Sequence, residues 1–146
     1  MERSFFDQVL DAFEGFAADV DGTMHAYAHS RGLKVWYDEA NREHYEAQLV
    51  RISTVARLEI GFHVEYPKVD QNDQVITRLL GAESVWRAEL GDGPEVGRFI
   101  GNDTWRRVSE VWDPPDPSDV DAAIEVAATL ADYVRAIEPI RRATRS

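Results

Sequence analysis

Histidine and glutamate residues cluster in the first half of this chain. These residue types act as general acids and bases and as ligands of transition metals. On a strand, side chains two residues apart share a face, so His63 and Glu65 would lie roughly 7 Å apart and could reach one ligand. Glu59 belongs to the same face. The histidines and their neighbouring glutamates are His25, His29, His44, His63, Glu46, Glu59 and Glu65.

Whether His25 and His29 join this site depends on the local structure. Residues four apart on a strand are separated by roughly 13 Å, so these histidines can chelate one metal only on a helix. Residues 23–31 fit a helix ended by Gly32, and they also fit a strand paired with residues 33–38, which is slightly favoured. The candidate ligand-binding residues are therefore His63, Glu65, Glu59, His25 and His29.

The sequence Asp-Val-Asp-Gly-Thr at residues 19–23 matches the loop of haloacid-dehalogenase-type phosphatases, in which the first Asp is the nucleophile. That chemistry needs the loop at the end of a buried parallel strand. Here the loop follows an amphipathic helix, and the only lysines, Lys34 and Lys68, lie in or beside antiparallel-looking strands. We interpret the motif as the turn that ends this helix, and we predict no catalytic residue.

Arginines beside Trp105 could form a basic patch on which nucleotides stack. The net charge of −11, however, repels phosphate backbones. We therefore expect no nucleic-acid partner. The arginines of this patch are Arg106, Arg107, Arg141, Arg142 and Arg145.

Residues 57–66 alternate between polar and apolar types, which predicts a strand with one face in a core. Residues 45–52 predict an antiparallel partner, joined through a tight turn at residues 53–54. This facing predicts that Phe62→Ala costs roughly 3–5 kcal/mol of stability and that His63→Ala costs much less. The core-facing residues of the strand are Leu58, Ile60, Phe62, Val64 and Tyr66.

Helical patterns surround these strands, over residues 4–18, from about residue 70 to 90, and after the proline-rich residues 113–117. A hairpin ending with residues 105–112 precedes the last helix. We predict an α+β fold in which an N-terminal, a middle and a C-terminal helix pack on one face of a five- or six-stranded antiparallel sheet. The stripe expected to be buried on the last helix is Val120, Ile124, Ala127, Val134 and Ile137.

The length of 146 residues fits one domain over residues 1–146. The chain has no cysteine, which favours an intracellular, cytoplasmic protein without disulfides or thiolate metal sites. No apolar run approaches the ~20 residues that cross a bilayer, so no membrane partner is expected.

From residue 56 onward, four sequence segments follow one another in an order that is also found in a known family. They are Ala-Arg-Leu-Glu-Ile-Gly-Phe-His-Val at 56–64, a helix ending in Glu-Leu-Gly at 89–91, a short hairpin into residues 105–110, and a closing helix with Pro139 near its end. This order resembles a family of uncharacterised bacterial domains often found C-terminal to restriction-endonuclease-like modules. The resemblance covers mainly residues 56–142 and implies an accessory role, since the family has no established activity.

Two functions remain open at this point. The first is a non-enzymatic interaction or accessory domain of a bacterial cytoplasmic protein, with a link to nuclease or defence systems, a protein partner or a homodimer, and no cofactor or metal. In that role His63, Glu59 and Glu65 would be exposed and independent. The alternative is an enzyme or metal-binding protein that uses the His/Glu face of the sheet.

Overall fold

The computed structural model describes residues 4–143, which form a six-stranded antiparallel sheet and four helices. The elements are α1 (Phe5–Phe16), β1 (Met24–His29), β2 (Gly32–Tyr37), β3 (Glu43–Ile52), β4 (Val55–Val64), α2 (Val69–Gly81), α3 (Glu83–Leu90), β5 (Glu95–Phe99), β6 (Asn102–Trp112) and α4 (Val120–Ala143). The strand order is β1-β2-β3-β4-β6-β5, so β3 and β4 lie at the centre. The predicted α+β class is confirmed.

The helices share one hydrophobic core with one face of the sheet. Phe62 of β4 is fully buried there, as the alternation predicted. Phe6 and Phe13 come from α1, and Leu130 and Ile137 from α4. Each such side chain stabilises the fold by about 1.5–3 kcal/mol relative to an exposed one. The core therefore determines which face of β4 points away from the helices.

That opposite face of β4 is buried as well. His63 is 0% exposed and Glu59 is 1% exposed, so the expectation of exposed, independent groups is wrong for these two residues. β4 has a paired strand on each side, β3 and β6, and the Phe99 ring of β5 packs edge-on against the His63 imidazole with ring centroids 4.6 Å apart.

The helix expected up to about residue 90 is two helices. The chain breaks at Ala82, which caps the end of α2 and the start of α3. Gly81 directly precedes the break, and glycine is a poor helix former. The indole of Trp86 on α3 donates to the Leu79 carbonyl oxygen at 2.8 Å and is fully buried.

The buried stripe of α4 differs from the expected one near its start. Val120 and Ile124 are 58% and 42% exposed, whereas Ala123 and Ala127 are buried. Alanine lets the helix approach the packed layer closely, so small residues occupy the stripe here. Although α4 spans 24 residues, none of the helices within residues 4–143 is long and apolar enough to cross a membrane.

A buried ion-pair network ties the end of α4 to the sheet. Arg141 donates two hydrogen bonds to Glu138, at 2.9 and 2.7 Å. The Tyr45 hydroxyl of β3 donates to the same carboxylate at 2.9 Å. Glu138 and Arg141 are only 2% and 5% exposed. The carboxylate is thus held by groups from both the helix and the sheet.

Candidate metal centre

Two His-x-Glu sequences on neighbouring strands build the candidate site. The turn between β3 and β4 consists of Ser53 and Thr54, both with positive φ (49° and 68°), as in a type I′ hairpin. This turn sets the register, and His44 lies directly opposite His63. Because alternate residues share a face, Glu46 and Glu65 point to the same side as the histidines.

Four ligand-type atoms from these residues surround a common centre. The Nε2 atom of His44 lies 3.1 Å from Glu46 Oε1 and 3.3 Å from Glu65 Oε2. The Nδ1 atom of His63 lies 3.1 and 3.7 Å from the same two oxygens. All four atoms lie within 4.8 Å of one another. Nitrogen and oxygen therefore alternate around a closed ring of four contacts.

The ring nitrogens that face away from this centre have acceptors of their own. His63 Nε2 lies 2.6 Å from Glu59 Oε2. His44 Nδ1 lies 3.0 Å from the carbonyl oxygen of Asn41. An acceptor at the far nitrogen fixes the imidazole tautomer, and metal-bound histidines in proteins almost always have one.

Glu59 and His63 meet across a glycine. They are four residues apart on β4, an interval of roughly 13 Å along a strand. Gly61 lies between them and has no side chain, so both side chains can lean together. A Cβ atom on Gly61 would overlap the Val108 carbonyl oxygen and Ser109 of β6, so the close approach of β6 requires glycine here.

The cluster is buried and rich in negative charge. The side chains of His44 and His63 are 0% exposed, and those of Glu46 and Glu65 are 13% and 15% exposed. With Glu59, three carboxylates face two imidazoles. Buried charge is costly unless it is compensated. The cluster therefore needs added positive charge, either as protons on the imidazoles or as a bound cation.

The pKa values follow from this crowding. Burial alone would lower the pKa of His63, but the charges and hydrogen bonds of Glu59 and Glu46 outweigh it and raise the pKa to about 10. Burial would raise the pKa of Glu46, yet hydrogen bonds with His44 and His63 hold it well below its usual range. Without a metal, His63 is therefore protonated at neutral pH.

The Glu65 carboxylate is held differently. Within residues 4–143, no donor reaches it with hydrogen-bonding geometry, although its Oε2 atom lies 3.3 and 3.7 Å from two ring nitrogens. A proton on either nitrogen would point mainly at Glu46, which accepts from both histidines. A cation at the centre would instead attract all four atoms at once.

The stability of the metal-free protein should depend on pH through this cluster. The folded pKa of His63, about 10, exceeds the value of about 6.5 in the unfolded chain, so its stabilising contribution is complete below pH ~6.5 and is lost as the pH rises towards 10. The depressed pKa values of Glu46 and Glu59 add a loss on the acid side, below pH ~4.5. We expect urea midpoints in EDTA to be highest between these limits.

A matched variant separates this effect from general titration. His29→Ala removes a histidine from β1, outside the cluster, and should keep the same pH profile. His63→Gln should abolish the loss of stability between pH 6.5 and 10, because it removes the group whose raised pKa causes that loss. A wild-type profile that stays flat from pH 6.5 to 10 would contradict a protonated, buried His63.

The structure brings together part of the predicted set. His63 and Glu65 belong to the ring, and Glu59 lies beside it. His25 and His29 lie on β1, which confirms the strand over residues 23–31 and places them outside the cluster. His25 stacks on Trp36 with ring centroids 5.4 Å apart, and His29 lies 5.4 Å from the Tyr27 ring.

His44 and Glu46 were missing from the predicted site. The signal that could have identified them is the predicted hairpin itself. Counting outward from a two-residue turn at residues 53–54 pairs His44 with His63 and places the two His-x-Glu sequences side by side.

The other sequence motifs have structural roles in this chain. Residues 19–23 form the turn between α1 and β1, as predicted, and residues 4–143 contain no parallel strand pair that could carry phosphatase chemistry. The arginines of the suspected basic patch are paired: Arg106 with Asp73, Arg107 with Glu95, Arg141 with Glu138 and Arg142 with Asp38. Arg145 lies outside the described residues.

Comparison of the chain with protein-family models, with curated proteins and with solved structures found no match in any of the three. The resemblance over residues 56–142 therefore stays a prediction, and the chemistry of the site is the basis for a functional proposal.

Proposed function

We propose that this domain binds one divalent transition-metal ion, with zinc the best fit, between His44, Glu46, His63 and Glu65. The observation that carries the proposal is the closed ring of four alternating nitrogen and oxygen atoms. The accessory role favoured from the sequence included no metal, and the candidate residues of the metal-binding alternative omitted His44 and Glu46. The proposal develops the metal-binding alternative raised from the sequence.

The spacing of the ring supports a small ion within reach of all four ligand atoms. Zinc binds nitrogen and oxygen at ~2.0–2.2 Å, so a tetrahedral zinc site, with ligand atoms ~3.3–3.6 Å apart, forms here if the two pairs across the ring, now within 4.8 Å, also close to that spacing. The four contacts of the ring measure 3.1, 3.3, 3.1 and 3.7 Å. Two imidazoles also favour zinc over calcium and magnesium, which prefer six or more oxygen ligands.

The arrangement supports a binding role rather than catalysis. Four protein ligands complete a tetrahedron, which is typical of structural zinc sites, whereas catalytic sites keep one position open. His44 and Glu46 lie on β3, His63 lies on β4 and Glu65 directly follows β4, so the ion would link the two central strands of the sheet. Zinc would also bring enough positive charge to replace two protons in the cluster.

The test is zinc binding by the wild-type protein and by Glu65→Gln. We expect calorimetry to show one zinc ion per chain, and zinc at a hundred times its dissociation constant to stabilise the fold by ~2.7 kcal/mol. Glu65→Gln should weaken zinc binding by about 100-fold or more, because loss of a direct ligand should cost at least as much as loss of its outer partner. Its metal-free stability should be unchanged or higher, since a repulsive charge is removed.

His29→Ala is the matched control, because it removes a histidine of β1 and should bind zinc like the wild type. Calcium and magnesium should give no saturable binding. A wild-type protein without saturable zinc binding would overturn the proposal. So would a Glu65→Gln variant that binds zinc as tightly as the wild type.

The interaction role and the homodimer stay predictions for a bacterial cytoplasmic protein. The observation that favours them is the sheet edge at β1, where Tyr27 is 61% exposed and where, among residues 4–143, only β2 is paired with the strand. An unpaired edge can accept another strand. This role is compatible with a metal site at the centre of the sheet.

A further inference from the structure

We propose that Glu59 is the positioning residue of the metal site, holding the His63 ring so that its Nδ1 atom faces the ion. This inference rests on the proposed function. Glu59 belonged to the candidate ligands inferred from sequence, but its carboxylate lies at the far nitrogen of the His63 ring, 2.6 Å from Nε2. It would therefore act through His63 and not as a ligand.

The two nitrogens of a neutral imidazole share one proton, so an acceptor at one nitrogen decides the state of the other. Glu59 accepts at Nε2, so when an ion replaces the proton on Nδ1, the remaining proton stays on Nε2 and the Nδ1 lone pair is available to the ion between Glu46 and Glu65. In His44 the roles of the two nitrogens are exchanged. The Asn41 carbonyl oxygen accepts at Nδ1, so the Nε2 atom is the one that faces the ion. Both imidazoles are thus set for coordination from within the same cluster.

The Glu59 carboxylate is itself held in place. Its Oε1 atom accepts a hydrogen bond from Gln48 on β3 at 2.9 Å. Ser109 of β6 lies next to it and contributes to lowering its pKa. Because Glu59 is 1% exposed, it cannot turn away to water. Groups from the strands on both sides therefore fix the carboxylate that fixes His63.

The decisive variant is Glu59→Gln, which keeps the size of the side chain and removes its charge. In this variant, the amide oxygen of the new glutamine side chain accepts from Gln48, since its NH2 group cannot. The NH2 group would then face His63 Nε2 and favour a proton on Nδ1. We expect zinc affinity, measured by competition with a chromophoric chelator, to fall by about 10- to 100-fold with one ion still bound. Proton–nitrogen NMR spectra of the zinc-loaded wild type should show a protonated Nε2 and a metal-bound Nδ1 on His63, and this signature should weaken in the variant.

Glu138→Gln is the matched control, because it neutralises another buried glutamate, 2% exposed, that lies outside the cluster. It should lower stability and leave zinc affinity unchanged, whereas a purely structural Glu59 would make the two variants behave alike. If Glu59→Gln does not fold, Gln48→Ala serves as the second variant. Gln48→Ala frees one oxygen of Glu59, so it should also weaken zinc binding.

The outcomes separate this inference from the proposed function. Absence of zinc binding by the wild type would overturn both. Wild-type binding with unchanged affinity and an unchanged His63 signature in Glu59→Gln would overturn only the positioning role. If Gln48→Ala is the variant measured, unchanged zinc affinity would likewise overturn the positioning role of Glu59.

Discussion

Replacing His63 by alanine is expected to destabilise the metal-free protein by about 3–5 kcal/mol, as much as replacing the core residue Phe62. His63 is fully buried and lies 2.6 Å from Glu59 and 3.1 Å from Glu46. Without the imidazole, the Glu59 carboxylate, which is 1% exposed in the wild type, loses its ionic partner. The cost is large because a buried, uncompensated carboxylate is added to a cavity.

Urea unfolding in EDTA of the wild type, His63→Ala and Phe62→Ala measures this effect. The alternation in the sequence had predicted a much smaller cost for His63, since only one face of the strand was assigned to a core. His29→Ala, on β1, should stay within about 0.5 kcal/mol of the wild type. A His63→Ala variant as stable as this control would mean that the cluster is solvated.

Replacing Glu138 by alanine is expected to cost a similar 3–5 kcal/mol. Glu138 accepts two hydrogen bonds from Arg141 and one from the Tyr45 hydroxyl. Its removal would leave a guanidinium that is 5% exposed without its carboxylate and deprive a buried hydroxyl of its acceptor. Removing one partner of a buried pair is far more costly than removing an exposed one.

Glu83→Ala provides the exposed comparison for this second variant. Glu83 also lies on a helix and pairs with Arg87 at 2.7 Å, but its side chain is 43% exposed. Such a pair contributes only about 0.3–0.5 kcal/mol. Urea unfolding of both variants should separate them clearly, and a Glu138→Ala loss as small as that of Glu83→Ala would show that the buried network contributes little.

Much of this architecture can be predicted from local pattern. Alternation over residues 57–66 determined which residues of β4 face the core, and Phe62 is buried as expected. The tight turn at residues 53–54 determined the antiparallel hairpin and its register, because a two-residue loop allows only one pairing. His44 and His63 are therefore opposite each other for reasons contained in the sequence.

Other features depend on how the elements pack. The break at Ala82 accompanies the burial of Trp86, whose indole donates to the Leu79 carbonyl oxygen. The exposure of Val120 and Ile124 on α4 is likewise a feature that helical periodicity does not report. The strand form of β1 became clear only through its pairing with β2, and it removed His25 from the site. Local sequence patterns cannot resolve such cases, because tertiary contacts outweigh small differences in propensity.

The candidate metal site likewise combines features set by local sequence with features set by tertiary contacts. The positions of His44, Glu46, His63 and Glu65 on one face of a hairpin follow from local sequence, because side chains alternate and the turn sets the register. Burial of this face depends on tertiary contacts, since β6 pairs with β4 and the Phe99 ring of β5 packs against His63. Burial removes the water that would otherwise solvate the carboxylates, so the cluster needs a compensating positive charge, which in our proposal is the bound ion.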